Sequence, residues 1–189
     1  MRTAHIDEAA ARLPDGRRLY VVAAVLSHSD DHAAIISALT ALCEKDPLHF
    51  RNETQDRRVV IAEVLATLPL HGAVMATTST TDSGQEKARA RLLCDLLPRL
   101  QHVERVGHVV LESRAGGDRF DRRTLNRLRM ARQVSAELRL DHAGKKSALL
   151  WTADFVASSY VAATRHSEPK PWEIINGAHP IEITELAPK

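Results

Sequence analysis

Cysteine is nearly missing from this chain, and so is any imbalance of charge. Of 189 residues only Cys43 and Cys94 carry thiols, too few for a disulfide framework and without metal-ligand spacing, a usage that suits a reducing cytoplasm. Both fall in helix-like stretches and read as packing residues. Twenty-six Lys and Arg against 24 Asp and Glu leave a formal charge of +2, so no global field calls for nucleic acid or a membrane, and any basic surface has to be local. The N-terminus meets Asp7 and Glu8 before an apolar run of signal-peptide length has formed, which argues against secretion. The segment 147–163 is apolar, yet it carries Asp154 near its centre and five hydroxyl residues, so it reads as a buried helix and not as a membrane span. No Walker loop, GxGxxG, CxxC or nucleophile elbow occurs, which leaves nucleotide cofactors and serine-hydrolase chemistry without support.

What is present is a chain with 44% hydrophobic and 26% charged residues, long enough for one good core. Residues 3–7 read as a short extended segment and 19–26 as a strand buried on both faces, joined by a Pro14-Asp15-Gly16 turn. Two helices are predicted next, at 33–45, stopped by Pro47, and at 55–68, stopped by Pro69. Strands at 71–78, 105–113 and 134–140 then alternate with helices at 85–100, 120–132 and 147–164. The reading is α/β: a mixed central sheet of about five strands flanked by helices, one domain over 1–166, and an irregular tail over 167–189 crossed by four prolines.

Three acids stand where chemistry can form. Asp7 ends the first predicted strand beside Glu8, and the two share a site only if the strand ends or bends between them, because consecutive side chains point to opposite faces; otherwise they are a solvated pair. Glu112 closes the apolar run Val109-Val110-Leu111, at the strand end where ligand sites gather in open α/β sheets. Asp154 borders the apolar stripe Leu149, Leu150, Ala153, Ala157 and Val161 of the last helix. A carboxylate there costs several kcal/mol unless it is salt-bridged or bound to a metal. His28 and His32 have the i, i+4 spacing of a metal pair, but no third ligand is evident. Between Arg114 and Arg132 seven arginines face two acids, and on a helix Arg119, Arg122, Arg123 and Arg127 spread over a broad face. Such a face tracks phosphates or is simply solvated in an arginine-biased chain.

The motifs Ile6-Asp7-Glu8-Ala9, Leu48-His49-Phe50, Val109-Val110-Leu111-Glu112-Ser113-Arg114 and Ser147 through Ala157, in this order, resemble the bacterial family catalogued as "domain of unknown function 3800". The chain departs from that family at Ala9-Ala10, where Ser-Gly is usual, at Glu112, where Asp is commoner, and at Trp151-Thr152, where Gln-Leu is usual. The resemblance implies a ribonuclease-H-like fold and an acidic cluster of Asp7, Glu112 and Asp154, with Glu8 as a possible fourth member and His49 at the rim. Carboxylates pressed together stay ionised only beside a hard cation, which points to Mg²⁺ or Mn²⁺. The function expected is a metal-dependent nuclease acting on RNA or DNA. Its rival is a catalytically silent nucleic-acid-binding or protein-interaction module of the same fold, and a small-molecule hydrolase stands third. The sequence leaves the oligomeric state open.

Overall fold

The computed structural model describes residues 1–43 and 47–188. Its centre is a long hairpin. Strand β1 (Arg2–Arg12) pairs antiparallel with β2 (Arg18–His28) without a slip, from Arg2 opposite His28 to Arg12 opposite Arg18. The turn between them is closed by the Leu13 amide donating to the Arg17 carbonyl, the Gly16 amide donating to the Leu13 carbonyl, and Asp15 accepting from the Arg17 amide. Gly16 sits there at φ +82°, where a side chain would be strained. The first strand therefore runs past its expected end at Asp7. Ala9, Ala10 and Ala11 have little strand preference of their own and are held extended by the partner strand.

Helix α1 (His32–Ala41) and helix α2 (Gln55–Thr67) follow, the latter capped by Thr54, whose hydroxyl accepts the Arg57 amide. The expected end of the first helix at Lys45 lies outside the described residues. Next come β3 (Leu70–Thr80), α3 (Gln85–His102), β4 (His108–Glu112), α4 (Asp118–Met130), β5 (Arg139–Ala143) and α5 (Ala148–Arg165). The strand expected at 134–140 is shifted: Val134 and Leu138 are buried anchors of a loop, and the ladder with β4 begins only at Arg139.

The expected irregular tail is corrected. Residues 167–188 include α6 (Lys170–Ala178) and β6 (Ile181–Glu185), which adds a sixth strand parallel to β3. Gly72 makes that docking possible: at φ +95° its missing Cβ would lie 2.4 Å from the Pro180 carbonyl oxygen. The strand order is β5-β4-β1-β2-β3-β6, antiparallel within β1-β2-β3 and parallel elsewhere.

Each face of the sheet has its own core. One is covered by α1, α2, α5 and α6 around Val21, Ala23, Met75 and Phe155; the other by α3 and α4 around Ile6, Val22, Leu92 and Leu96. Along α3 the leucines at 92, 93, 96, 97 and 100 are fully buried, each stabilising the fold by about 2 kcal/mol. Helix α5 is buried on nearly every side because it lies against the central hairpin and is overlaid by α1 and α6. No helix among the described residues is long and apolar enough to cross a membrane.

Candidate functional site

Asp7 sits mid-strand on the central strand, one residue beyond Ile6, whose partner on β4 is Leu111. The parallel register thus sets Glu112, the last residue of β4, beside Asp7. Alternation sends the Asp7 side chain to the α5 face of the sheet, where Ala9 and Ala11 also pack. Helix α5 crosses there and contributes Asp154. The three carboxylates line one small pocket with Pro47, Leu48, His49, Lys145, Leu150 and Trp151.

Their environments differ. Asp7 is buried, and desolvation, the charges of Glu112 and Asp154 and a carboxyl–carboxyl hydrogen bond to Glu112 push its pKa up to about 9, against a smaller opposing pull from Arg89. Asp154 is buried but fully partnered. Its Oδ2 accepts from His49 Nδ1 at 2.9 Å and from the Phe50 amide at 2.8 Å, and its Oδ1 accepts from the Ser158 hydroxyl at 3.3 Å. The hydrogen bond to Asp154 in turn raises the His49 pKa above the ordinary value. Glu112 is half-buried, and Lys145 Nζ lies 3.6 Å from its Oε1.

Glu8 is not brought to this pocket. With the strand unbroken, its side chain goes to the opposite face and pairs with Arg89, one of the most deeply buried side chains of the protein. Arg89 also grips Asp121 of α4 through Nε at 2.9 Å and Nη2 at 3.1 Å, and His142 of β5 reaches the same carboxylate at 3.1 Å. Arg114 joins this network through Glu86 and Asp121. Sequence reading missed Arg89, although an arginine in register with the leucine stripe of α3 was the signal. It missed Lys145 too, for which a loop lysine offers no periodicity.

Arg119, Arg122, Arg123 and Arg127 are all exposed on α4, where the guanidinium carbons of Arg119 and Arg123 lie 4.8 and 5.7 Å from the Phe120 ring centroid. They stand on the α3–α4 side of the sheet, the layer opposite the pocket. His28 and His32 diverge: His28 meets the His71 ring edge-on, and His32 contacts Ser27 and His5.

Among the described residues no three His, Cys, Asp or Glu side chains surround a common point in ligating geometry. The donor set nonetheless suits a hard cation by chemistry. Its groups are carboxylate oxygens, and Asp7 is held above the ordinary carboxylate range by burial first and by the Glu112 and Asp154 charges after it.

No family model and no curated protein matches the chain. Solved structures do. The ribonuclease H2 of Pyrococcus horikoshii OT3 superposes with a TM-score of 0.55 over 95% of this chain and 81% of that one, at 16% identity. The structure of the PCNA:RNase HII complex from Archaeoglobus fulgidus gives 0.50 over 94% and 80%, also at 16% identity. The chain has a ribonuclease-H-like fold.

Proposed function

We propose that the protein is a divalent-metal-dependent nuclease that hydrolyses phosphodiester bonds of RNA or DNA, with Asp7, Glu112 and Asp154 as its metal ligands. The observation that carries this reading is the meeting of the three carboxylates in one pocket, Asp7 on the central strand of a ribonuclease-H-like sheet and Asp154 on the helix across it. The motif resemblance to the "domain of unknown function 3800" family supports the same assignment. Mg²⁺ or Mn²⁺ bound to these oxygens would neutralise charge on a phosphodiester and lower the pKa of the attacking water.

The chain's own residues do the rest. Asp7 and Glu112 supply oxygens from a rigid strand pair, while Asp154 is oriented by the Phe50 amide, Ser158 and His49. A groove of about 240 Å³ adjoins the pocket across His49 and Asp154, with Arg51, Arg58, His166 and Glu168 along it. Arg58 is paired there with Glu168 at 2.8 Å, and Arg51 is the exposed cation the groove offers to a phosphate next to the carboxylates. The exposed arginines of α4 form a second phosphate-binding surface on the other layer. In the cell the reading fits a cytoplasmic enzyme.

A silent nucleic-acid-binding module is favoured by one observation: both Asp154 oxygens already have protein partners. Crystals soaked in MnCl₂ and measured at the manganese edge, together with cleavage of labelled RNA and DNA, separate the two. Anomalous density between Asp7, Glu112 and Asp154 with metal-dependent cleavage is expected. Binding of nucleic acid with neither density nor cleavage would establish the silent module.

A further inference from the structure

Lys145 occupies the turn between β5 and α5. The backbone there is fixed at two points: the Trp151 indole N–H donates to the Lys145 carbonyl at 2.7 Å, and the Ser147 amide donates to the Gly144 carbonyl at 2.9 Å. The side chain is not fixed in the same way. It is 65% exposed and leans over the pocket mouth, its ammonium 3.6 Å from Glu112. Apart from His49 it is, among the described residues, the one basic side chain lining the carboxylate pocket.

We propose that Lys145 is a resident counter-ion of Glu112, displaced when a divalent cation binds and then free to approach the phosphate of the bound diester. The inference rests on the metal-dependent reading above. Two features of the geometry carry it. An exposed ion pair at this distance holds weakly and exchanges readily. And an ammonium on a four-carbon stem, anchored by a backbone that Trp151 holds still, swings without moving the loop. Arg89 cannot play this part, because its charge is spent on Glu8 and Asp121 across the sheet. Lys145 thus shields Glu112 in the metal-free protein and competes with a cation for the same oxygens. Once displaced, its charge is held at the mouth, where an anionic diester has to enter.

The two roles predict effects of opposite sign on one variant. Removing a unit positive charge a few ångströms from the site should tighten cation binding about fivefold, while the diester, deprived of the ammonium, binds more weakly. Mn²⁺ titration followed by electron paramagnetic resonance is the first measurement, on the wild type, Lys145→Met and Lys145→Arg, with melting temperatures confirming that all three are folded. The second is KM for bis(4-nitrophenyl) phosphate. Lys145→Met should bind Mn²⁺ about fivefold more tightly and show a raised KM, and Lys145→Arg should restore both toward the wild type. Unchanged or weaker Mn²⁺ binding by Lys145→Met, with the wild type binding normally, overturns the counter-ion role and leaves the metal-dependent reading standing. No Mn²⁺ binding by any of the three overturns both.

Discussion

Replacing Asp7 with Asn separates the electrostatics of the pocket from its shape, since the two side chains are nearly isosteric. In the metal-free fold burial and the neighbouring acids push Asp7 from 3.8 to about 9. A raised carboxyl pKa means that the folded state holds a proton the unfolded chain has released. Its stabilising contribution is complete below pH 3.8 and is lost as pH rises toward 9. At pH 7 about three units of that interval have been crossed, and at 1.36 kcal/mol per unit the penalty is about 4 kcal/mol at most. Asn carries no charge and escapes it. In EDTA, Asp7→Asn should therefore be more stable than the wild type at pH 7, with a gap that widens between pH 5 and pH 9. Added Mn²⁺ should raise the melting temperature of the wild type and leave the variant unchanged. Urea unfolding at three pH values with and without metal measures all of this. A variant less stable than the wild type in EDTA at pH 7, or a gap that does not grow with pH, would refute the account of uncompensated charge.

The opposite pH limb belongs to His5, which burial first, and then the charges of His32 and His108, push down to about 3. A lowered histidine pKa gives stability that is complete above 6.5 and lost as pH falls toward 3, so His5→Gln should flatten the acid side of a melting curve that Asp7→Asn flattens on the alkaline side. Asp154→Asn should cost about 1–3 kcal/mol in urea unfolding, because a neutral amide oxygen accepts from His49 and Phe50 more weakly than a carboxylate does, and the His49 pKa should fall in an NMR titration. Arg89→Met takes from buried Asp121 its two-pronged partner, leaving it His142 and the longer contact to Arg114, and takes from half-buried Glu8 its near cation; it should destabilise by about 2–4 kcal/mol, read by thermal unfolding. Changing Arg119, Arg122, Arg123 and Arg127 together to Ala should lower the salt dependence of nucleic-acid affinity by about one unit of log-log slope for each phosphate no longer neutralised, and an unchanged slope in a filter-binding assay would remove α4 from the mechanism.

How much of this was legible depended on what fixes each element. The second strand showed in the sequence because helices cover both of its faces, which turns alternation into the unbroken apolar run 19–26. Asp154 showed for the related reason that a charge in an apolar stripe has to be accounted for. The far half of β1 did not, since three alanines become a strand only through pairing with β2. Nor did β5, whose residues Arg139 to Ala143 are largely polar and half-exposed at the sheet edge. The tail misled through its prolines. Pro169 and Pro171 mark the start of α6, where proline's fixed φ and missing N–H are tolerated, and not a break in structure. Asp154→Asn shows the same limit at the site. Charge alone argues that the change relieves repulsion, but the hydrogen bonds to His49 and Phe50 lead to the opposite expectation and leave that relief to Asp7.

The alternation of one strand also decides which acids are left in need of a cation. Asp7 and Glu8 are neighbours, yet the pleat sends them into different layers. Glu8 meets Arg89, whose single charge is then shared between two carboxylates, Glu8 and Asp121. Arg89 lies across the sheet from Asp7, and its pull on the Asp7 pKa is the smallest of the influences and is overridden by burial and the neighbouring acids. On the pocket side, among the described residues, three acids face one exposed lysine and one histidine that is already turned to Asp154. Arg51 and Arg58 lie in the adjoining groove, and the exposed arginine cluster of α4 lies on the other layer. Negative charge is thus concentrated in the pocket on one layer of the sheet and positive charge is displayed on α4 on the other, with the turn at 113–117 between them. That turn is held by Asp118, which accepts from the Ser113 hydroxyl at 2.8 Å and the Arg114 amide at 2.9 Å, so its path from β4 into α4 is fixed.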